Sequence, residues 1–201
     1  YDIEYEYPWG FDELEGVASR TDYDLKKHAE HSGAKLSYFD QQKQDPETGK
    51  NGWRYTPYVI EPAAGVTRGL LVYLLDAYHE ETVPNADGED SSRVVMKLHP
   101  RLAPIKVAVL PLVKKEGLPD IAREMVSGFF KAGINARYDE QHSIGKRYRR
   151  HDEAGTPYCL TIDGQTKEDG TVTIRDRDTM KQERISKDEA LQIVQKRLIE
   201  S

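Results

Sequence analysis

The 201-residue sequence holds a single cysteine, Cys159, and that scarcity sets limits at once. One thiol cannot build a disulfide framework within the chain, and it fits a reducing compartment such as the cytosol. Long apolar runs are scarce too. Leu70 to Leu75 meets Asp76 immediately, far short of the ~20 residues of a membrane span. No secretory leader is recognisable, nor any internal repeat or heptad pattern. Aromatics make up 9% and apolar residues 37%. That is enough to bury a core and to exclude wholesale disorder. The first residue is Tyr1 rather than Met, so the chain is expected to be part of something longer.

What is present is charge, unevenly spread. Up to Pro100 there are 10 Lys and Arg against 19 Asp and Glu, and from Arg101 onward 19 against 16. An acidic first half and a mildly basic second half imply different partners. The densest cations are Lys146, Arg147, Arg149 and Arg150, with Tyr148 among them and His151 beside them. Such a run suits a phosphate backbone, or else a solvated helix face.

The segment Pro57 to His79 reads as strand, tight turn and helix. The apolar run Tyr58 to Ile60 ends at Glu61, Pro62 to Gly65 form the turn, and Arg68 falls in the helix's first turn. Exposed amides and the helix dipole favour an anion there, and an arginine can grip polyphosphate bidentately. The bland alternative is an arginine in a surface ion pair. Loops are expected at 41–52 and 84–92, with a short strand at 94–98. Beyond them the pattern gives strand 105–113, helix 118–132 ended by Gly133, strand 134–138, a basic helix or turn at 143–154, strands 157–162 and 171–175 joined by a polar connection at 163–170, and a last helix. Ser186 to Glu189 has the form of a capping box for that helix. His28 and His31 lie three apart on a helix, but no cysteine or third histidine stands nearby in sequence, so packing or surface roles fit them better than metal.

These residues carry a resemblance. Glu61 to Arg68 resembles the third signature motif of class II aminoacyl-tRNA synthetases. Gly10 to Leu25 is similar to the strand and helix preceding that motif in the dimeric glycyl-tRNA synthetases. Ser143 to Glu153 and Thr171 to Met180 are close to that family's anticodon-binding domain. The resemblance implies an α/β (α+β) chain in two parts. Residues 1–98 would be the second half of an antiparallel-sheet catalytic domain, with its motif at 58–78. Residues 99–201 would be a mixed-sheet β-α-β-α-β-β-α anticodon-binding domain. It implies ATP with Mg²⁺, glycine and tRNA-Gly as ligands, a homodimeric full-length parent, and a cytoplasmic place.

Role by role, the resemblance assigns Arg68 and Glu13 to ATP, and Glu61, Ala63 and Arg20 to glycine; it fixes no metal ligand, though Glu13 is an acid that can take the Mg²⁺ that comes with ATP. Arg68, Glu13 and Glu61 form the catalytic trio. Arg20 serves equally well in an ion pair that orders a neighbouring acid. Lys146, Arg147, Arg149, Arg150, Arg175, Arg177 and Asp178 are the tRNA candidates. The sequence departs from the pattern twice. Ala63 stands where the family commonly has serine, losing a hydrogen bond of about 0.5–1.5 kcal/mol. The Phe-Arg-x-Glu motif that supplies the α-phosphate arginine is absent. A non-catalytic relative, such as a DNA polymerase accessory subunit, is the alternative; the intact trio speaks against it. The Arg175 to Asp178 run favours glycine over the sister synthetases for threonine, proline or histidine.

Overall fold

A computed structural model describes residues 1–84 and 88–201. The chain divides into two compact units, Tyr1–Val72 and Tyr73–Ser201. In the first, β1 (Asp2–Tyr7), β2 (Gly10–Thr21) and β5 (Val59–Ala64) make an antiparallel sheet in the order β1-β2-β5. Helix α1 (Tyr23–Ser32) follows β2 and ends where Gly33 takes a left-handed φ of 71°. Between α1 and β5 stands an antiparallel hairpin of β3 (Tyr38–Gln44) and β4 (Asn51–Tyr55). The loop expected at 41–52 is therefore mostly strand, with only a tight turn at its tip. There Asp45 caps the amides of Glu47 and Thr48, an Asx-type turn that shortens the connection. Helix α2 (Val66–Ala77) runs from the motif turn across the division of the two units.

The second unit opens with a hairpin of β6 (Tyr78–Pro84) and β7 (Asp90–Met96). The loop expected at 84–92 shrinks to its tip; Asn85, Ala86 and Asp87 lie outside the described residues. The expected division at 98/99 falls inside this unit. Its main sheet has the order β12-β11-β10-β8-β9, where β8 is Val107–Pro111, β9 Ala136–Tyr138, β10 Tyr158–Ile162, β11 Thr171–Asp176 and β12 Gln182–Ser186. β8 pairs in parallel with both β9 and β10, and β10–β11–β12 are antiparallel. The central strands β8 and β10 are buried at every residue, as strands covered on both faces must be.

Alternation sorts the two faces. Val107, Val109, Leu160, Val172 and Ile174 join α3 (Leu118–Lys131) and α6 (Ala190–Glu200) in the main core. Ala108, Leu110 and Cys159 turn the other way, toward Ile144 and Tyr148 of α4 (Ile144–Glu153). The chain steps from β8 out to β9 and then back past β8 to β10. Right-handed crossovers therefore place α3 and α4 on opposite faces. Cys159 is a small core residue, as read from the sequence; burial pushes its thiol up to about 12.

Two elements differ from expectation. The connection 163–170 holds a short helix α5 (Gly164–Asp169), capped by a reciprocal pair in which Asp163 accepts from the Thr166 amide and the Thr166 hydroxyl accepts from the Asp163 amide. The capping box expected at Ser186 is not formed. Ser186 instead ends β12, paired with Thr171, and α6 starts only at Ala190 without a side-chain cap. Sheet pairing has taken the residue that a local motif would have used. Among the described residues no helix is long and apolar enough to cross a membrane.

Candidate functional sites

In the first unit, the β2–β5 register sets Gly16 opposite Ala63 and Ala18 opposite Glu61. Directly paired residues share a face, so Gly16, Ala18 and Ala63 form a floor of small side chains with Glu61 at one end. Glu13 stands at the other end. A Cβ on Gly16 would come within 3.2 Å of a Glu13 carboxylate oxygen, so glycine leaves the acid room to lie over the sheet. A bulge between Ile3 and Glu4 in the β1–β2 ladder shifts the register just there, the kind of irregularity that re-aims a side chain. Arg20 Nε reaches Asp24 at 2.8 Å and Glu61 at 3.5 Å, and its pKa is raised, first by Asp24.

Arg68 folds back along the motif turn, its stem against Gly65, where a Cβ would lie 3.3 Å from the Arg68 Cβ. Its guanidinium donates to the Glu13 carbonyl and, at 3.2 Å, to the Asp12 carboxylate. Asp12 is held below the ordinary carboxylate range, first by the Glu13 amide and then by Arg68. One arginine thus ties the motif helix to β2 through the main chain beside Glu13. Among the described residues no three His, Cys, Asp or Glu side chains are grouped to hold a metal. Glu13 alone fits an ion delivered by phosphates, since Mg²⁺ takes one or two carboxylates and completes its shell with substrate oxygens and water.

In the second unit, α4 presents two different basic faces. Ile144, Arg147, Tyr148, His151 and Asp152 fall at helical spacing on the inward stripe, and Arg147, His151 and Asp152 are buried. Arg147 donates to the carbonyls of Pro111, Leu112 and Asp139, and desolvation lowers its pKa. Asp152 accepts a bidentate pair from Arg175 at 2.7 and 3.0 Å, with Arg93 of β7 at 3.6 Å. Arg175 also stacks over Tyr148, 4.8 Å from its centroid. Arg177 donates to the Gly155 carbonyl and bidentately to Asp178, and its own carbonyl accepts from Arg93. Outward, Lys146, Arg149, Arg150 and Arg175 border an open cavity of ≈ 740 Å³ with Tyr148 and Gln182.

Residues 106–197 match the family model of an anticodon-binding domain. Along almost its whole length the chain is also similar to curated proteins. It is 50% identical to the glycine–tRNA ligase of Treponema denticola over 191 residues, 95% of this chain and 41% of that protein. Against the glycine–tRNA ligase of Streptomyces coelicolor it is 50% identical over 201 residues, 98% of this chain and 42% of the relative. Against that of Corynebacterium efficiens it is 53% identical over 193 residues, 94% and 40%. The chain is homologous to the glycine–tRNA ligases. It spans about two fifths of the length of these relatives.

Within this ligase homologue, the structure brings Glu13, Glu61, Ala63 and Arg20 onto or beside one sheet floor, and Arg68 onto the main chain of Glu13. The tRNA candidates separate. Lys146 is exposed, and Arg149 and Arg150 line the cavity. Arg147 and Arg177 are about 2% exposed, with their guanidiniums bound to main-chain carbonyls, so in this structure they brace the domain from inside rather than line the cavity. Arg175 is 5% exposed and committed to Asp152, which makes it a cavity wall. Asp178 is exposed, yet both its oxygens are occupied by Arg177. Sequence reasoning missed Asp12, Arg93, Tyr148 and Asp152. For the last two the signal was available: they sit on the same helical stripe as Ile144.

Proposed function

We propose that this chain is the C-terminal part of a glycine–tRNA ligase, with 1–98 belonging to the catalytic domain and 99–201 reading the anticodon. The observation that carries the reading is the match of both units, at about 50% identity, to glycine–tRNA ligases. The intact trio Arg68, Glu13 and Glu61 argues against the non-catalytic alternative. In the whole protein, glycine would be activated by ATP, and its glycyl group passed to tRNA-Gly. The reaction is chiefly positioning and charge neutralisation. Glu61, set by Arg20 over Ala18 and Ala63, would receive the ammonium group, on a floor whose small side chains leave space for the smallest amino acid. Arg68 would exchange its contact with Asp12 for ATP phosphate. Mg²⁺ arriving with ATP would find Glu13. A cytoplasmic homodimer fits this reading.

The second unit would hold the anticodon stem-loop. Lys146, Arg149 and Arg150 supply the phosphate contacts, and Gln182 lines the space where an unstacked base could be bonded. The test is binding of the 201-residue chain to anticodon stem-loops with and without the two cytosines that glycine tRNAs share. Tighter binding of the cytosine-bearing loop is expected. Lys146→Ala with Arg149→Ala should weaken both loops alike and reduce the salt slope by roughly 1–2. Equal affinity for the two loops would remove the reader assignment.

A further inference from the structure

One fully buried arginine belongs neither to the catalytic trio nor to the lining of the anticodon cavity. Arg93 projects from β7, and its side chain is 0% exposed. Its Nη2 donates to the Arg177 carbonyl at 2.9 Å and lies 3.1 Å from the Glu81 carboxylate on β6. Its Nη1 stands 3.6 Å from the Asp152 carboxylate on α4. Nε and Nη1 nevertheless find no hydrogen-bond acceptor among the described residues. An incompletely bonded buried charge is costly, and packed apolar side chains in place of a buried ion pair are often neutral or stabilising. Stability alone therefore gives no reason for an arginine here. What an apolar side chain could not do is join three elements at once.

Each of those elements carries a wall of the ≈ 740 Å³ cavity. β6 ends at Pro84, α4 brings Lys146 and Arg150, and the chain beyond Arg177 turns into β12 through Met180 and Gln182. Asp152 also grips Arg175, a fourth side of the same cavity, at 2.7 and 3.0 Å. The turn after Arg177 is tightly bonded. Asp176 accepts from the amide and the hydroxyl of Thr179, both at 2.8 Å, and its own amide donates to the Lys181 carbonyl at 3.0 Å. These bonds hold Met180 at a φ of 57°, a left-handed conformation that persists in a residue with a side chain only where its surroundings over-determine it. The hairpin meets α4 a second time: Arg149 donates to the Ser91 hydroxyl at 3.1 Å, which donates to the Val83 carbonyl at 3.2 Å.

We propose that Arg93 is a positioning residue for base recognition: from the β6–β7 hairpin it fixes the β11–β12 turn, with Met180 and Gln182, against Arg175 and α4. The proposal rests on the reading of the second unit as the anticodon reader, and says which buried group sets that reader's geometry. Groups that bond a base edge must be held to within about 0.5 Å. Phosphate contacts from long side chains such as Lys146 and Arg150 position the RNA but carry no sequence information. Loosening the turn therefore costs selectivity and spares the electrostatic part of binding.

The experiment measures binding of the 201-residue chain, as wild type, Arg93→Met and Arg93→Lys, to anticodon stem-loops with and without the two cytosines. Methionine fills the space without charge or donors. Lysine keeps a cation beside Glu81, but a point charge cannot span the Arg177 carbonyl and Asp152 together. A well-placed base contact discriminates by about 5- to 150-fold. In both variants the ratio of the two affinities should fall at least about fivefold, while the salt slope changes by less than the ~0.9 of one phosphate contact. A merely structural Arg93 would lower the urea midpoint and leave the ratio of the folded protein as it was. A ratio retained by either folded variant overturns the proposal, and so does unfolding of both, which would make Arg93 framework alone. A wild-type chain without preference removes the reader assignment and this proposal with it, whereas a preference that the variants keep strikes Arg93 only.

Discussion

The two units solve the same problem of placing charge in opposite ways. In Tyr1–Val72, Tyr7 is the only buried residue among those described, and Ile3, Trp9, Phe11, Ile60 and Val66 stand in solvent. Its candidate acids and arginines are held by partly exposed ion pairs and main-chain contacts, each typically worth about 0–1 kcal/mol. In Tyr73–Ser201 a two-faced sheet buries a continuous core, and four arginines of the unit lie inside it or at its wall. Identical chemistry thus acquires different meanings. An arginine on the first unit's rim is free to change partners when a ligand arrives, whereas one in the second unit is part of the framework.

The largest effect should follow from Asp152, the carboxylate shared by Arg175 and Arg93. Asp152→Ala strands the buried Arg175 and leaves Arg93 with Glu81, at 3.1 Å, as its carboxylate; breaking a buried pair in this way typically costs about 3–5 kcal/mol. Urea denaturation of the chain should show that loss for the second unit's transition, against a change within about 0.5 kcal/mol for Lys146→Ala. A small loss at Asp152 would mean that the buried network is not structural.

Acidity provides the next contrast. His151 is buried between Thr156 and Asp139, and desolvation lowers its pKa from 6.5 to about 4. Asp139 and Asp152 oppose that shift, and Arg137 and Arg150 reinforce it. The unfolded chain therefore binds a proton that the folded one does not between about pH 6.5 and 4. Stability should fall as pH drops through that window, by at most about 3 kcal/mol. His151→Asn should flatten the dependence in the same window. A slope unchanged in the variant would assign it to carboxylates instead.

A smaller effect separates scaffold from reader within the basic run itself. Arg147→Ala should cost roughly 1.5–3 kcal/mol of stability, the range of hydrogen bonds from a charged group. It should leave RNA affinity of the folded protein unchanged. Lys146→Ala should do the reverse. If Arg147→Ala instead weakens RNA binding without loss of stability, its placement in the interior is wrong.

What the sequence disclosed follows the same divide between local and tertiary causes. The strand-turn-helix around Arg68 was legible because Pro62, Gly65 and the apolar run act within a few residues. Gly133, at a φ of +74°, closes α3 for the same local reason. The hairpin at 38–55 was read as partly loop because its strands are polar and are defined by each other. Ser186 was assigned to a cap until its pairing with Thr171 is known. Counting cations in 146–150 missed that Arg147 shares a stripe with Ile144 and His151. Residue type gave the charge, and only position on the helix says which side it faces.

The smallest expected effect bears on the first unit's looser arrangement. Arg20 touches Asp24 and, at longer range, Glu61, with side chains 45% and 48% exposed at the Arg20–Glu61 pair. Solvent screening leaves such contacts little stabilising force, so Arg20→Ala should leave stability nearly unchanged. If Arg20 acts only as a local brace for α1, nothing else follows. If it orients Glu61 toward the glycine ammonium, the full-length ligase carrying Arg20→Ala should need more glycine for half-maximal pyrophosphate exchange, with its ATP requirement unchanged. Arg20→Lys should then recover only part of the loss, because an ammonium cannot span two carboxylates with a planar fork. An unaltered glycine requirement would return Arg20 to the ion pair with Asp24, and leave Glu61 to hold its place by strand register alone.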